Sequence, residues 1–169
     1  MYIPLKALQL AGNALAQGGL TLSNLDSHEL ICPFAVLEKD GERNDFVFEA
    51  DSQQDAISAA RQYIKDSQNL WDYWSFVWEG NLNLKGKNVD GLIVEIGFKR
   101  QTLPVRLAYP FVRHTSSTPL RLIGSPWFMV GQELQEDSDW SSEMEQVLVG
   151  VRQHEYAAPK WHSWVDSGS

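Results

Sequence analysis

Two glutamates on consecutive predicted strands, Glu79 and Glu95, are the best candidates for acid–base chemistry in this sequence. Strands are predicted at 71–80 and 91–99, so the two carboxylates could approach each other across a hairpin, and glycosidases use carboxylates paired in this way. A structural role competes, because the predicted register also sets Glu95 opposite Arg106 in a cross-strand ion pair worth about 0.2–1 kcal/mol. We favour the ion pair, and a small enzyme with a site near Glu79 and Glu95 stays an alternative.

The single cysteine is the next candidate, as an activated nucleophile. Cys32 follows His28 by four residues, and a thiol needs a neighbouring base to become reactive. That spacing brings the two side chains together only on a helix, and Pro33 argues against a helix there. We therefore interpret Cys32 as a small buried residue at the start of a strand.

Metal and phosphate sites lack their sequence patterns. The glycines Gly12, Gly18 and Gly19 fit no dinucleotide fingerprint and precede no P-loop lysine, so we interpret them as helix-spacing and capping residues. No two histidines are spaced four residues apart, and each is interpreted as a surface or loop residue. These histidines are His28, His114, His154 and His162. We predict no catalytic residue, no metal ligand and no cofactor-binding residue.

An acidic segment beside two tryptophans is the best candidate for a binding site. Residues 133–145 carry six acidic side chains. Such a segment is usually a solvated face, and its functional interpretation is a docking surface for a basic partner, with a tryptophan as the anchor, because tryptophan is favoured at binding hot spots. The predicted partner-binding residues are Trp127, Glu133, Glu136, Asp137, Asp139 and Trp140.

The densest hydrophobic stretch of the chain is 71–78, where five of eight residues are aromatic. Alternation places Trp74, Phe76 and Trp78 on one face of a strand and Tyr73 and Val77 on the other. A strand loaded on both faces is either central and covered twice, or half covered and used for binding. The tryptophans of the C-terminal tail, Trp161 and Trp164, are open to similar alternatives, and we favour packing of the tail against the sheet over a dimer contact.

Helices and hairpins must position these residues. A first helix starts at Pro4 and ends at Gly18-Gly19, and 20–31 is a loop. A second helix covers 53–67 and is capped by Ser52. A third starts near Ser138, where Trp140, Met144, Val147, Leu148 and Val151 share a helical face, although 145–151 also alternates like a strand.

Strands come in hairpins. The first pairs 32–38 with a return strand at 46–49, and 80–88 is a polar loop after the aromatic strand. The firmest prediction is the hairpin of 91–99 with 102–112. It pairs Phe98 with Leu103, Ile96 with Val105, Val94 with Leu107 and Leu92 with Tyr109. A further strand is predicted at 120–123, followed by a short apolar run at 127–130.

This order of elements predicts an α+β fold. The sheet is antiparallel, with about six strands and with helices mainly on one face, because the strands come in hairpins rather than alternating singly with helices. The chain of 169 residues fits one domain, which we place at 1–158, with a C-terminal tail at 159–169.

Charge and composition limit the classes of molecule that this chain can be expected to bind. The formal net charge is −8 and no cluster of basic residues occurs, which argues against nucleic acid. A basic protein would be attracted, but we favour the simpler interpretation that the excess of acid keeps the protein in solution. No apolar run approaches the roughly 20 residues of a membrane span, and the N-terminus lacks a secretion signal. With one cysteine, the sequence predicts a cytoplasmic protein that does not bind membranes.

The layout resembles a set of small uncharacterised bacterial α+β proteins of unknown function. The resemblance covers residues 5–130 and implies, for some members, neutralisation of a toxin by binding it, as an immunity protein does. The matching motifs are Pro33-Phe34-Ala35-Val36-Leu37, Asp40-Gly41, Ala56-Ile57, Asp90-Gly91-Leu92-Ile93-Val94-Glu95, Tyr109-Pro110 and Gly124-Ser125-Pro126.

The sequence therefore predicts a non-enzymatic, cytoplasmic protein-binding domain that is immunity-like and uses an acidic and aromatic surface. The alternatives are a self-associating structural domain that forms a homodimer, and the small enzyme with a site near Glu79 and Glu95.

Overall fold

The computed structural model describes residues 2–26, 28–135 and 138–165. Four helices and eight strands form within these residues. The helices are α1 (Leu5–Asn24), α2 (Gln53–Ser67), α3 (Ser141–Arg152) and α4 (Ala158–Val165), and a 3₁₀ turn at Gln68–Leu70 follows α2. The strands are β1 (Phe34–Lys39), β2 (Glu42–Val47), β3 (Tyr73–Leu84), β4 (Lys87–Phe98), β5 (Val105–Val112), β6 (Arg121–Leu122), β7 (Trp127–Val130) and β8 (Glu133–Leu134).

The strands form one antiparallel sheet in the order β2-β1-β3-β4-β5-β7-β8, and β6 pairs with β5 beside that path. The prediction of an α+β fold with an antiparallel sheet is confirmed. The strand count is slightly higher than the six expected, because β6 and β8 are two-residue strands that are too short to show a period-2 pattern in the sequence.

The hairpin of β4 and β5 has the predicted register. Glu95 lies opposite Arg106, and the apolar pairs are Leu92 with Tyr109, Val94 with Leu107 and Ile96 with Val105. The predicted pair of Phe98 with Leu103 is wrong, because β5 begins at Val105 and leaves Leu103 outside the ladder, 48% exposed. Alternation of apolar residues fixed this register, since a slip of one residue would turn the apolar set away from the core.

The expected polar loop at 80–88 is wrong, because β3 and β4 stay paired as far as Leu84 and Lys87. The turn between them places Lys85 and Gly86 at φ 51° and 86°. Two consecutive positive φ angles mark a type I′ turn, whose twist matches that of a long hairpin. Most described side chains in the outer half of this hairpin are solvent-exposed, and its asparagines and lysines are typical of a loop.

Strand β3 is central and covered on both faces, which decides between the two interpretations of the aromatic stretch. Val77 is fully buried in the main core, where α1 packs. Phe76 and Trp78 lie in a second core, against Ala60 of α2. Three helices therefore cover one face of the sheet and α2 covers the other, as expected for helices mainly on one face.

Helix α1 continues past Gly18-Gly19 to Asn24, so the predicted helix end, and the loop beginning at residue 20, are wrong. These glycines allow close packing instead. A Cβ on Gly18 would lie 3.3 Å from a Leu92 methyl, and one on Gly19 would lie 2.8 Å from the Trp164 ring. Tertiary contact at these positions outweighs the modest helix cost of glycine.

The predictions of helices α2 and α3 are confirmed. Helix α2 matches the predicted 53–67, and the Ser52 hydroxyl accepts a hydrogen bond of 3.1 Å from the Asp55 N–H. Segment 141–152 is a helix rather than a strand. It begins three residues after the predicted start at Ser138.

The C-terminal tail is ordered as α4 over residues 158–165 and packs into the main core. Trp161 and Trp164 are buried, and their rings contact each other edge-on at 6.1 Å. Trp161 also contacts Tyr109 of β5 at 6.2 Å. The preference for tail packing is confirmed. Within the described ranges, no helix combines the length and the apolar character that crossing a membrane requires.

Candidate functional site

A groove at the β7–β8 edge of the sheet brings the two predicted anchor tryptophans together. It has a volume of about 630 Å³ and lies between the start of α3, strands β7 and β8, and the segment before β7. Its lining residues are Lys85, Ser125, Pro126, Trp127, Phe128, Leu134, Gln135, Ser138, Trp140, Ser141 and Met144. We call this surface the aromatic groove.

Trp140 is held in the groove by an aromatic stack. Its ring lies on Phe128 with the centroids 4.5 Å apart and the planes inclined by 7°. Phe128 is 3% exposed and sits opposite Leu107 in the ladder between β7 and β5. The stack therefore ties the start of α3 to the buried part of the sheet, and Trp140 stays half-buried at the surface.

Backbone turns around β7 shape the walls. Gly124 and Gly131 both take a φ of 64°, a left-handed conformation that favours glycine, so the chain turns sharply before and after β7. The Tyr109 hydroxyl donates a hydrogen bond of 3.0 Å to the Gly124 carbonyl, and the Gly131 N–H donates one of 2.8 Å to the Pro104 carbonyl. Ser125 and Pro126 are thereby held as the wall opposite α3.

Acidic side chains border the groove. Glu133 and Asp139 are exposed, and each directly precedes a lining residue, Leu134 and Trp140. Asp139 accepts a hydrogen bond of 3.0 Å from the Ser141 N–H. Hydrogen bonds from the Ser141 side chain and backbone hold the pKa of Asp139 below its usual value, so this carboxylate stays charged in mildly acidic solution. Glu136 and Asp137 lie outside the described residues.

The groove contains an unused hydrogen-bond donor. The Trp140 Nε1 atom is buried and has no acceptor among the described residues. A buried donor without a partner costs about 1–3 kcal/mol. Lys85, at the tip of the β3–β4 hairpin, is the only charged side chain among the described residues that line the groove.

The two glutamates of the acid–base hypothesis do not meet, so the expected approach across the hairpin is wrong. Glu95 lies opposite Phe76 and Glu79 lies opposite Leu92, an odd spacing that sends them to opposite faces. On the α2 face, Arg61 Nη1 donates to both Glu95 oxygens at 2.9 and 3.1 Å.

Glu79 is buried on the other face, where it pairs with Arg113. The Arg113 Nη2 atom lies 2.5 and 2.6 Å from the two carboxylate oxygens, and the Ile31 N–H contributes a weaker hydrogen bond of 3.4 Å. The Glu95–Arg106 pair that the sequence favoured has an N–O distance of 3.8 Å and is secondary to the Arg61 pair. Both glutamates therefore have structural partners.

The cysteine and the histidines do not come together in one site among the described residues. Cys32 is exposed rather than buried, so the interpretation of a small buried residue is wrong. His28 lies in an exposed group with Asp26 and Glu29, whose ligand atoms are within 4.8 Å of one another. Sequence analysis missed this grouping. Exposed acidic groups of this kind are common without a metal, and no buried ligand supports them.

His114 and His154 make structural contacts. The ring of His114 contacts the Leu25 carbonyl. His154 Nδ1 accepts a hydrogen bond of 3.0 Å from the Ala157 N–H, and its Nε2 lies 2.8 Å from the Gln17 side-chain oxygen. Burial lowers the pKa of His154, an effect only partly opposed by a backbone hydrogen bond and by the charges of Asp45 and Glu155.

Sequence analysis anticipated the two tryptophans but missed Met144 and the Ser125-Pro126 wall. Met144 belongs to the helical face predicted for α3, yet that face is divided. Val147 and Val151 are buried, whereas Met144 is half-buried and lines the groove. The i, i+4 spacing of Trp140 and Met144 was a usable signal for an apolar stripe at the surface.

Comparison with known protein families, with curated proteins and with solved structures finds no match to this chain.

Proposed function

We propose that this chain is a protein-binding domain and that the aromatic groove is its binding site for a basic partner. The observation that carries the proposal is the convergence of Trp127 and Trp140 in one groove, with exposed carboxylates at its border. A half-buried tryptophan presents a large apolar surface with little side-chain entropy to lose, which is why tryptophan dominates many interfaces.

Electrostatics supports a partner that carries Lys or Arg beside its apolar anchor. The chain has a formal net charge of −8, and Glu133 and Asp139 concentrate negative charge at the groove. Rim charges of this kind raise the association rate and select the sign of the partner more than they add affinity. Apolar contact with the tryptophans supplies most of the binding energy.

Binding is favoured over catalysis because the carboxylates best suited to chemistry are already engaged. Glu79 and Glu95 each pair with an arginine, on opposite faces of the sheet. The narrower form of the proposal is an immunity-like role in the bacterial cytoplasm, in which the bound partner is neutralised. An exposed, unpaired Cys32 suits a reducing compartment.

The test is a pulldown of the native partner with wild-type and variant chains. Trp127→Ala removes an anchor, and Glu133→Lys with Asp139→Asn changes the border charge by +3 while an amide oxygen stays available to the Ser141 N–H. Glu42→Lys with Glu49→Gln makes the same charge change at the opposite edge of the sheet. We expect both groove variants, but not the control, to lose a stoichiometric partner. Equal capture by all variants rejects the groove as the site.

A second candidate is self-association through β2, the other edge of the sheet. All six residues of β2 are exposed, including Val47 at 61%, and β1 is the only strand paired with β2 in the described part of the chain. An exposed edge strand is a template for pairing with another strand. Light scattering over a range of concentrations tests this, since a concentration-independent monomer rejects it and a dimer abolished by Val47→Lys supports it.

A further inference from the structure

The aromatic groove does not end at Met144. A second hollow of about 350 Å³ lies next to it and shares three of its lining residues, Ser125, Pro126 and Met144. The remaining lining residues of the second hollow are Tyr109, Gly124, Leu148, Val151, Arg152, Ala158, Trp161, His162 and Val165. The two hollows therefore adjoin each other along α3, with Ser125, Pro126 and Met144 between them, and we call the pair the channel.

An apolar stripe runs the length of this channel. Trp140, Met144 and Leu148 succeed one another at intervals of four residues, and all three are half-buried. At 1.5 Å per residue along a helix, the stripe extends for about 12 Å. An elongated apolar channel of this length matches two to three turns of an amphipathic helix better than a single anchoring side chain.

Charge differs between the two ends of the channel. Glu133, Asp139 and Glu143 stand at the end where α3 begins, against one lysine, Lys85. The far end is lined by Arg152 and His162, and no carboxylate of the described residues lines that hollow. Among these residues the channel is thus acidic where α3 starts and carries the positive charge of Arg152 where α3 finishes.

We propose, building on the binding function above, that the occupant of this channel is an amphipathic helix of a partner protein, which lies antiparallel to α3. Its apolar residues recur at i, i+4 and i+7 and contact the Trp140–Met144–Leu148 stripe. Its C-terminal end carries Lys or Arg and meets Asp139, and its N-terminal end carries Asp or Glu and meets Arg152. That charge order agrees with the dipole of the partner helix itself, which favours acids at its N-terminus and bases at its C-terminus.

The probe is a displayed library of peptides of about 14 residues with the apolar positions fixed at helical spacing. The end positions vary among Lys, Glu and Gln, and a matched library carries a central proline. We expect selection on the wild-type chain to enrich helical clones that are acidic at the N-terminus and basic at the C-terminus. No enrichment over the proline library, or no charge preference, overturns the proposal.

Two variants test whether the selected clones bind along the channel. Arg152→Glu changes an exposed side chain that has no ion pair in the described part of the chain, so it leaves packing intact. We expect it to weaken acid-first clones about two- to fivefold, the range for an exposed ion pair. A selection repeated on this variant should enrich Lys at the peptide N-terminus. Leu148→Arg should block the far hollow and prevent binding of the selected clones. A cooperative thermal transition is required of this variant, so that loss of binding is not loss of fold.

The same variants separate this inference from the proposed function. If the native partner is lost with Trp127→Ala but retained with Leu148→Arg and Arg152→Glu, the groove binds its partner without the far hollow, and the helix proposal alone is rejected. If the native partner is retained with Trp127→Ala as well, the aromatic groove is rejected as the binding site for the native partner.

Discussion

Trp140 lies almost parallel to Phe128, with ring centroids 4.5 Å apart, and so joins the first residue before α3 to the buried residue of strand β7. The same side chain forms one wall of the aromatic groove. One residue therefore supports both the packing of α3 and the surface that we propose for binding.

Replacing Trp140 by alanine and by phenylalanine separates these two roles. We expect Trp140→Ala to reduce the free energy of unfolding by about 2–4 kcal/mol, because it removes a half-buried ring and its stacking contact with Phe128. Trp140→Phe keeps the stack and removes the unpartnered Nε1 atom, so its effect should stay within about 1 kcal/mol. Urea titration followed by circular dichroism measures both. A phenylalanine variant as unstable as the alanine variant would contradict the stacking account.

The ion pair of Glu79 and Arg113 gives a second prediction. Glu79 is 7% exposed, so replacing one partner leaves a largely buried charge without compensation. We expect Glu79→Gln or Arg113→Met to lower the free energy of unfolding by about 3–5 kcal/mol, and the double variant Glu79→Leu with Arg113→Met to recover most of the loss.

The matched control for this pair is Lys99→Met. Lys99 pairs with Asp72 at 3.0 Å on the surface, where solvent screens the interaction, and the loss should be much smaller than for the buried pair. A double variant whose loss equals the sum of the single losses shows that the two buried groups do not interact.

The sequence predicted best where one face of an element carries apolar residues at a regular spacing. Leu92, Val94 and Ile96 alternate against Val105 and Leu107, and the structure has that register. The outer half of the β3–β4 hairpin was missed although Leu82 alternates with Asn81 and Asn83, because asparagine and glycine are depleted in strands and common in loops. Its pairing depends on the turn at Lys85-Gly86, which local propensity alone does not distinguish from a loop.

The candidate site was predictable only in part, for a geometric reason. Trp127 and Trp140 are conspicuous residue types beside an acidic segment, so composition alone draws attention to them. Ser125-Pro126 and Met144 belong to separate segments, and their proximity depends on where α3 packs against α1. No local pattern encodes that placement, and the second hollow, which involves α4 as well, follows from it.

Close contact between α1 and α3 gives a third prediction. A Cβ on Gly12 would lie 1.8 Å from the Val147 carbonyl oxygen, and one on Gly150 would lie 1.9 Å from the Gln9 carbonyl oxygen. Alanine at either position must push the two helix backbones apart, so we expect a loss of about 3 kcal/mol or failure to fold, despite the higher helix propensity of alanine.

Lys6→Ala is the control on the same helix, because residue 6 is exposed. We expect its thermal midpoint to match or slightly exceed that of the wild-type chain. Melting temperatures of Gly12→Ala and Gly150→Ala close to that value would show that α1 and α3 do not approach as described.

His154 makes the free energy of unfolding fall as the solution is acidified. The neutral ring satisfies both neighbours, since Nδ1 accepts from the Ala157 N–H and a protonated Nε2 donates to the Gln17 oxygen. Burial lowers the pKa of the folded state below the ordinary value of 6.5, so the unfolded chain takes up a proton more readily. The contribution of His154 is therefore complete above pH 6.5 and is lost as the pH falls from there toward the folded-state pKa.

Denaturant titrations at several pH values between 5 and 8 should show this loss in the wild-type chain, alongside those of other groups. The slope of unfolding free energy against pH should become smaller in His154→Ala, because the group responsible is absent. His28→Ala removes an exposed histidine outside this junction and serves as the comparison. A slope that stays unchanged in His154→Ala but falls in His28→Ala would contradict this prediction. The neutral imidazole between α3 and α4 would then contribute nothing to the pH dependence of stability.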